Sequence, residues 1–198
     1  MKIVFASGNE GKVKEIREML EGMGIQLVSL TDYVRVPEIV EDGKSFLENA
    51  LIKAKIISAF TGETVLADDS GLQVDALGGE PGIYSARYAG QKATDDDNIN
   101  LLLAKLKSIP QEKRTASFCC ALVLYSANGS YDCFESKWKG RIIDERRGDN
   151  GFGYDPVFFV PELKMTAAEL PAEIKNKVSH RGQAFAQLKK VLGERLRN

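Results

Sequence analysis

The opening run MKIVFASGNEGKVKEI constrains this chain more than any other stretch, because it places a strand, a glycine-bearing loop and a helix in immediate succession. Lys2 to Phe5 is a short β-prone run with an apolar core. From Lys12 the apolar residues Val13, Ile16, Leu20 and Met23 recur at helical spacing until Gly24 stops them. Gln26 to Leu30 is β-prone again. Strand, helix and strand in that order predict a parallel strand pair with a crossover helix, since parallel neighbours cannot be joined by a tight turn.

The rest of the chain continues the α/β theme. Ser45-Phe46-Leu47-Glu48 has the form of a capping box, and Phe46, Ala50, Lys53, Ala54 and Ile57 follow at helical intervals. Thr64 to Ala67 is β-prone and runs into Asp68-Asp69-Ser70-Gly71, after which Leu72, Val74 and Ala76 alternate. GGEPGIYSARYAG (78–90) predicts a long loop. Thr94-Asp95-Asp96-Asp97 then caps a helix carrying Ile99, Leu102, Leu103 and Leu106. RTASFCCALVLYS (114–126) and SYDCFESKWKGRII (130–143) flank Ala127-Asn128-Gly129, a hairpin signal. Residues 148–153 form a glycine-rich loop before YDPVFFVP, a short aromatic strand. From Gly182 the tail is helical, with Phe185, Leu188, Val191, Leu192 and Leu196 on one side. No internal repeat or low-complexity linker interrupts the chain. We expect an α/β fold with a mixed sheet, the hairpin belonging to a second lobe.

At 198 residues the chain suits one α/β domain, or two small lobes sharing a sheet. A formal net charge of −1 argues against bulk binding to nucleic acid or an anionic membrane, which calls for a basic surplus. A small polyanion remains compatible, provided a few Lys and Arg converge locally. No apolar run approaches the roughly 20 residues of a membrane span, and the start has no signal-peptide pattern. Cys119, Cys120 and Cys133 are odd in number and two are adjacent, which fits neither a disulfide framework nor zinc spacing. Reduced core thiols, and so a cytoplasmic protein, are the expectation.

Three stretches carry candidate chemistry. SGNEGK fails as a Walker loop, because Ala6 stands where the first glycine belongs and Val13 follows Lys12. Gly8 and Gly11 would still let backbone approach an anion, with Ser7, Asn9 and Lys12 adding polar groups; a plain strand-to-helix turn is the alternative. ADDSG puts Asp68 and Asp69 at the end of a strand, a usual place for a site in an open α/β sheet. If the strand continues through them, they point to opposite sides. A hard cation such as Mg²⁺ takes one or two carboxylates plus substrate phosphates, and Glu41 or Asp42 in PEIVEDGK (37–44) would supply the second acid. The alternative is an ordinary Asp-Ser-Gly turn. The single histidine, His180, excludes a multi-His metal site and has no nucleophile elbow to serve. His180 and Arg181 suit the hydrogen-bonding edge of a ligand, or else they are the solvated start of a helix capped by Ser179. Phe152 and Tyr154 offer rings for stacking on a planar base.

Taken together, SGNEGK, FLENALIKA, LADDSGLQVDALGGEPGIYSARYAG, FGYDPVFF and SHRGQA, in this order, resemble the inosine triphosphate pyrophosphatase family, the XTP/dITP diphosphatases. The resemblance runs from Lys2 to the last helix. It implies an elongated mixed β-sheet flanked by helices, with two lobes in one domain over 1–198 and a substrate cleft between them. It also implies a homodimer and Mg²⁺-dependent conversion of non-standard purine nucleoside triphosphates to monophosphate and pyrophosphate. By the same resemblance, Ser7, Gly8, Asn9, Glu10, Gly11 and Lys12 form the phosphate loop. Asp69 is the metal-linked catalytic carboxylate, Ser70 a substrate contact, Glu41 the second metal ligand and Lys53 a phosphate-facing lysine. Phe152, Gly153, Tyr154 and Asp155 form the base-side loop, with Lys175, His180 and Arg181 as further base readers. Lys177 competes with Lys175, and the distance to His180 favours Lys175.

On these roles, Asp69 positions or deprotonates the attacking water, while Lys12, Lys53 and the metal offset the triphosphate charge. Arg181 and His180 would donate to the 6-oxo group of hypoxanthine or xanthine, donors that adenine leaves unpaired. The competing readings are a Maf-type nucleotide pyrophosphatase of other base preference and a nucleotide-binding module without catalysis.

Overall fold

The structure is a computed structural model, and it describes residues 1–195. Seven strands are hydrogen-bonded in the order β2-β1-β3-β4-β5-β6-β7. These are β1 (Lys2–Phe5), β2 (Gln26–Ser29), β3 (Val65–Val74), β4 (Thr115–Tyr125), β5 (Tyr131–Ile142), β6 (Phe158–Val160) and β7 (Met165–Thr166). The sheet is mixed. β1 runs parallel to β2, as the opening sequence predicts, and also to β3, whereas β5–β6 and β6–β7 are antiparallel. The helices are α1 (Glu10–Leu20), α2 (Phe46–Thr61), α3 (Asp95–Leu106), α4 (Ala172–Val178) and α5 (His180–Arg195).

The chain divides into two compact units. The first comprises 1–69, 120–136 and the chain from Arg181; the second comprises 70–119 and 137–180. In the first, the alternation of a strand sorts residues to two faces. Ile3, Phe5, Leu66, Leu122 and Leu124 pack with Val13 and Ile16 of α1 and Phe185, Leu188 and Leu192 of α5. Their neighbours Val4, Ala6, Val65, Ala67 and Val123 pack with Ala50, Ala54 and Ile57 of α2. In the second unit, Leu72 and Val74 pack with Ile99, Leu102 and Leu106 of α3 and with Phe118, Trp138 and Phe158.

Several boundaries depart from the sequence expectation, each for a local reason. β3 passes through Asp68, Asp69, Ser70 and Gly71 without turning, so the Asp-Ser-Gly turn is not formed; the strand ends at Val74, and Ala76 lies in a 3-10 turn. Ser45 caps α2 by accepting from the Glu48 N–H, but the Glu48 carboxylate accepts from Lys44 rather than closing the box on Ser45. The Thr94–Asp97 box closes in both directions. The β4–β5 hairpin is not confined to the second unit. Its turn lies in the first, because strands of 11 and 12 residues outrun one unit. Pro156 sits in a 3-10 turn over Asp155–Val157, which delays β6 until Phe158. β7, α4 and the 3-10 turn Gly82–Arg87 are too short for periodicity to reveal. α5 begins at His180 rather than Gly182, and Leu196 lies outside the described residues. Cys119 and Cys120 are buried free thiols as expected, but Cys133 is exposed.

Candidate active site

The parity of β3 decides what each aspartate meets. Asp68 shares a face with Leu66 and so turns toward α1 and α5; Asp69 shares a face with Val65 and Ala67 and turns toward α2. The contacts follow. Lys12 Nζ of α1 lies 3.0 Å from Asp68 Oδ2, and Arg181 Nη2 of α5 donates to the same oxygen at 3.3 Å. The other terminal nitrogen of Arg181 donates to Glu15 on α1. On the opposite face, Asn49 Nδ2 donates to Asp69 Oδ2 at 3.1 Å, and Lys53 Nζ lies 3.4 Å from Asp69 Oδ1. Lys53 Nζ also reaches Glu41 Oε2 at 3.2 Å. Asn49 and Lys53 are one helical turn apart on α2, so both meet Asp69.

These surroundings drive the two acids in opposite directions. Burial raises the pKa of both. At Asp68 the charges of Lys12, Arg181 and Lys53 outweigh burial and hold the carboxyl well below the usual carboxylate range. At Asp69 burial wins, with Lys53 and Lys12 offsetting only part of it and Glu41 adding to the rise. Burial would lower the pKa of Lys53, yet Asp69, Asp68 and Glu41 together raise it. Burial would likewise lower that of Arg181, but Glu15 and Asp68 raise it. Two neighbouring acids pushed apart in this way can divide a permanent charge from proton-transfer work.

The SGNEGK segment forms the turn into α1. Asn9 is the N-cap, its side chain accepting from the Lys12 N–H at 3.0 Å, and Ser7 Oγ accepts from the Asn9 N–H at 3.2 Å. Gly8, Asn9 and Glu10 are exposed, and a Cβ on Gly8 would meet nothing within 4 Å. A cavity of about 570 Å³ opens beside Gly8 and Glu10, reaching Lys14, Arg17 and Thr31; neither aspartate lines it.

Within the second unit, Asp155 organises the glycine-rich loop. Its Oδ2 accepts from the Phe152 N–H at 2.9 Å and from Lys175 Nζ at 2.6 Å. The Lys175 ammonium lies 5.1 Å from the centre of the Phe152 ring. Lys175 is buried, whereas Lys177 is exposed. The Gly153 N–H donates to Asp95 Oδ2 at 2.7 Å, and the buried Tyr154 donates its hydroxyl to the Ser85 carbonyl at 2.8 Å. His180 is buried with its ring stacked on Phe118, 4.9 Å between centres at 14°. Neither His180 nor Arg181 is the solvated helix start that the sequence left open, since Arg181 is 1 % exposed. Ser70 is half-buried in β3.

Sequence reasoning missed Asn49, Glu15 and Asp95. Asn49 had a signal, a polar residue one turn before Lys53 on an otherwise apolar stripe of FLENALIKA. Glu15 and Asp95 had none, because their partners lie far away in the chain.

The family model of the Ham1 family matches residues 3–191. The chain is 52% identical over 192 residues to the dITP/XTP pyrophosphatase of Geobacter sulfurreducens, covering 97% of this chain and 96% of that one. Its structure is similar to a HAM1 protein from Coxiella burnetii (TM-score 0.89, 45% identity, 98% of this chain and 99% of that one). It is also similar to the Staphylococcus aureus Ham1 protein (TM-score 0.87, 38% identity, 98% and 100%).

Proposed function

The chain belongs to the Ham1 family, and on that premise we propose that it is a nucleoside triphosphate pyrophosphatase acting on non-standard purine nucleotides, ITP, dITP and XTP, to give the monophosphate and pyrophosphate. The observation that carries the chemistry is the convergence of Glu41 and Asp69 on one ammonium group, with Asp69 the acid of raised pKa.

Glu41 and Asp69 are an all-oxygen donor pair from separate segments, which suits a hard divalent cation. Among the described residues no group of three or more His, Cys, Asp or Glu gathers as a ready-made cage. That fits Mg²⁺, which keeps water and phosphate oxygens in its shell. Glu41 and Asp69 would hold it, and when bound it supplies charge neutralisation at the phosphate oxygens.

The protein's own groups do the rest. Ser7, Gly8, Asn9, Glu10 and Gly11 give the triphosphate the turn into α1, exposed at Gly8, Asn9 and Glu10, and Lys12 and Lys53 offset its charge. Asn49 fixes the Asp69 carboxylate, whose remaining capacity takes the proton of a water attacking the α-phosphorus as the bond to pyrophosphate breaks. Ser70 contacts the substrate beside it. Phe152 offers its ring to the purine, on a loop shaped by Gly153, Tyr154, Asp155 and Lys175. His180 and Arg181 address the 6-oxo group as donors. We extend the reading to a homodimer, which rests on the resemblance, and to a cytoplasmic setting, which the three free thiols support. No helix among the described residues is long and apolar enough to cross a membrane.

The test is pyrophosphate release from inosine, guanosine, adenosine and thymidine triphosphates, with and without Mg²⁺. Metal-dependent release favouring the inosine compound is the expected result. Equal rates on all four would remove the base-reading roles, and no release would overturn the reading. Sedimentation velocity tests the dimer.

A further inference from the structure

The acid that the catalytic scheme leaves unused is Asp68. Its side chain is fully buried, and one of its oxygens receives both Lys12 Nζ at 3.0 Å and Arg181 Nη2 at 3.3 Å. Lys12 belongs to the segment assigned to the phosphates and Arg181 to the segment assigned to the base. No other carboxylate in the described contacts reaches both. We propose that Asp68 is a positioning residue that ties the phosphate-facing lysine to the base-reading arginine, so that the two ends of a nucleotide are judged in one register. This inference rests on the pyrophosphatase reading above.

The chemistry of the contacts supports it. Arg181 presents a rigid planar fork, and a carboxylate on each terminal nitrogen fixes its plane and leaves its orientation little freedom. Glu15 and Asp68 are those two carboxylates, and only Asp68 also holds Lys12. Asp68 is a buried carboxylate with two cations against one oxygen. A negative charge beside a polyanion site lowers anion affinity, so its presence there calls for a compensating task. Holding two cations in place is such a task.

Asp68→Asn keeps the size of the side chain and removes the charge. The experiment measures kcat and KM of the full chain with inosine and adenosine triphosphates, together with inhibition by inorganic tripolyphosphate, which reports the phosphate end alone. For Asp68→Asn we expect tripolyphosphate to inhibit about threefold more strongly or better, because a repelling charge is gone. The inosine-over-adenosine ratio of kcat/KM should fall about tenfold, because Arg181 loses an anchor. A merely structural role would weaken both together. An unchanged ratio, or parallel loss of ratio and inhibition, overturns the inference. Should Asp68→Asn fail to fold, Asp68→Glu carries the test: a ratio within about threefold of wild type supports the charge as anchor, and a lost ratio overturns it. Wild-type release of pyrophosphate separates the two levels. If wild type is inactive, the pyrophosphatase reading falls and this inference with it; if wild type is active and the variants miss expectation, this inference falls alone.

Discussion

Asp68 and Asp69 are consecutive in β3 and meet different cations: Asp68 is held by Lys12 and Arg181, Asp69 by Asn49 and Lys53. The strand pleat sends one to each face of the sheet, and the helix waiting on that face sets its chemistry. Asp68 is held ionised, while the pKa of Asp69 is raised.

Asp69→Asn removes the proton acceptor while keeping the hydrogen-bonding shape. We expect kcat to fall by at least about 10²–10⁴, with nucleotide binding retained. Single-turnover kinetics and equilibrium binding of inosine triphosphate check this, and wild-type rates from the variant would overturn the assignment.

Arg181→Ala should cost stability as well as activity. The guanidinium is 1 % exposed, and its removal takes one of two cations from the buried Asp68, leaving Lys12, and a cation from the half-buried Glu15. Breaking a buried pair by deleting one partner costs about 3–5 kcal/mol. Urea denaturation of the variant beside wild type reads the loss directly, and a midpoint unchanged within error would contradict it.

Gly151→Ala targets the base-side loop without touching the acids of β3. Gly151 has φ +80°, and a Cβ there would lie 2.0 Å from Asp155 Oδ2 and 3.0 Å from Lys175 Nζ. Displacing Asp155 releases the Phe152 N–H that it holds. We expect kcat/KM for inosine triphosphate to fall about 10- to 100-fold, mostly through KM, with tripolyphosphate inhibition preserved. Loss of that inhibition would show damage beyond the loop.

The depressed pKa of Asp68 sets a sign for stability against pH. Unfolded, the group titrates near the ordinary value of 3.8; folded, it titrates lower. As pH falls through that window the unfolded state binds the proton first, so the stabilisation is complete above the unfolded pKa and drains away below it. The stability gap between wild type and Asp68→Asn should therefore be flat from pH 7 to about 5 and narrow below about 4. Denaturation midpoints across this range test it; a gap that widens in acid would contradict the ion pairing.

The elements were largely readable because they are written in local periodicity. Val13, Ile16 and Leu20 mark α1, Thr94 and Asp97 write their own cap, and Asn128-Gly129 turns the β4–β5 hairpin. The separation of Asp68 from Asp69 was legible only on the condition that the strand runs through them; the sequence left an Asp-Ser-Gly turn open, and β3 decides for the strand. What the sequence could not determine is which charges meet. Arg181 stands 166 residues from Glu15 and 113 from Asp68, and Asp155 stands 20 from Lys175. Nothing in residue spacing ranks such pairings. They arise when α1 and α5 settle on one face of the sheet and α2 on the other, and burial then makes each unpartnered charge too costly to leave alone. Local sequence therefore determined the elements and the residue types at hand, and only tertiary packing decided that Arg181 would be a buried, doubly held cation, because long-range ion pairs are selected by desolvation and not by periodicity.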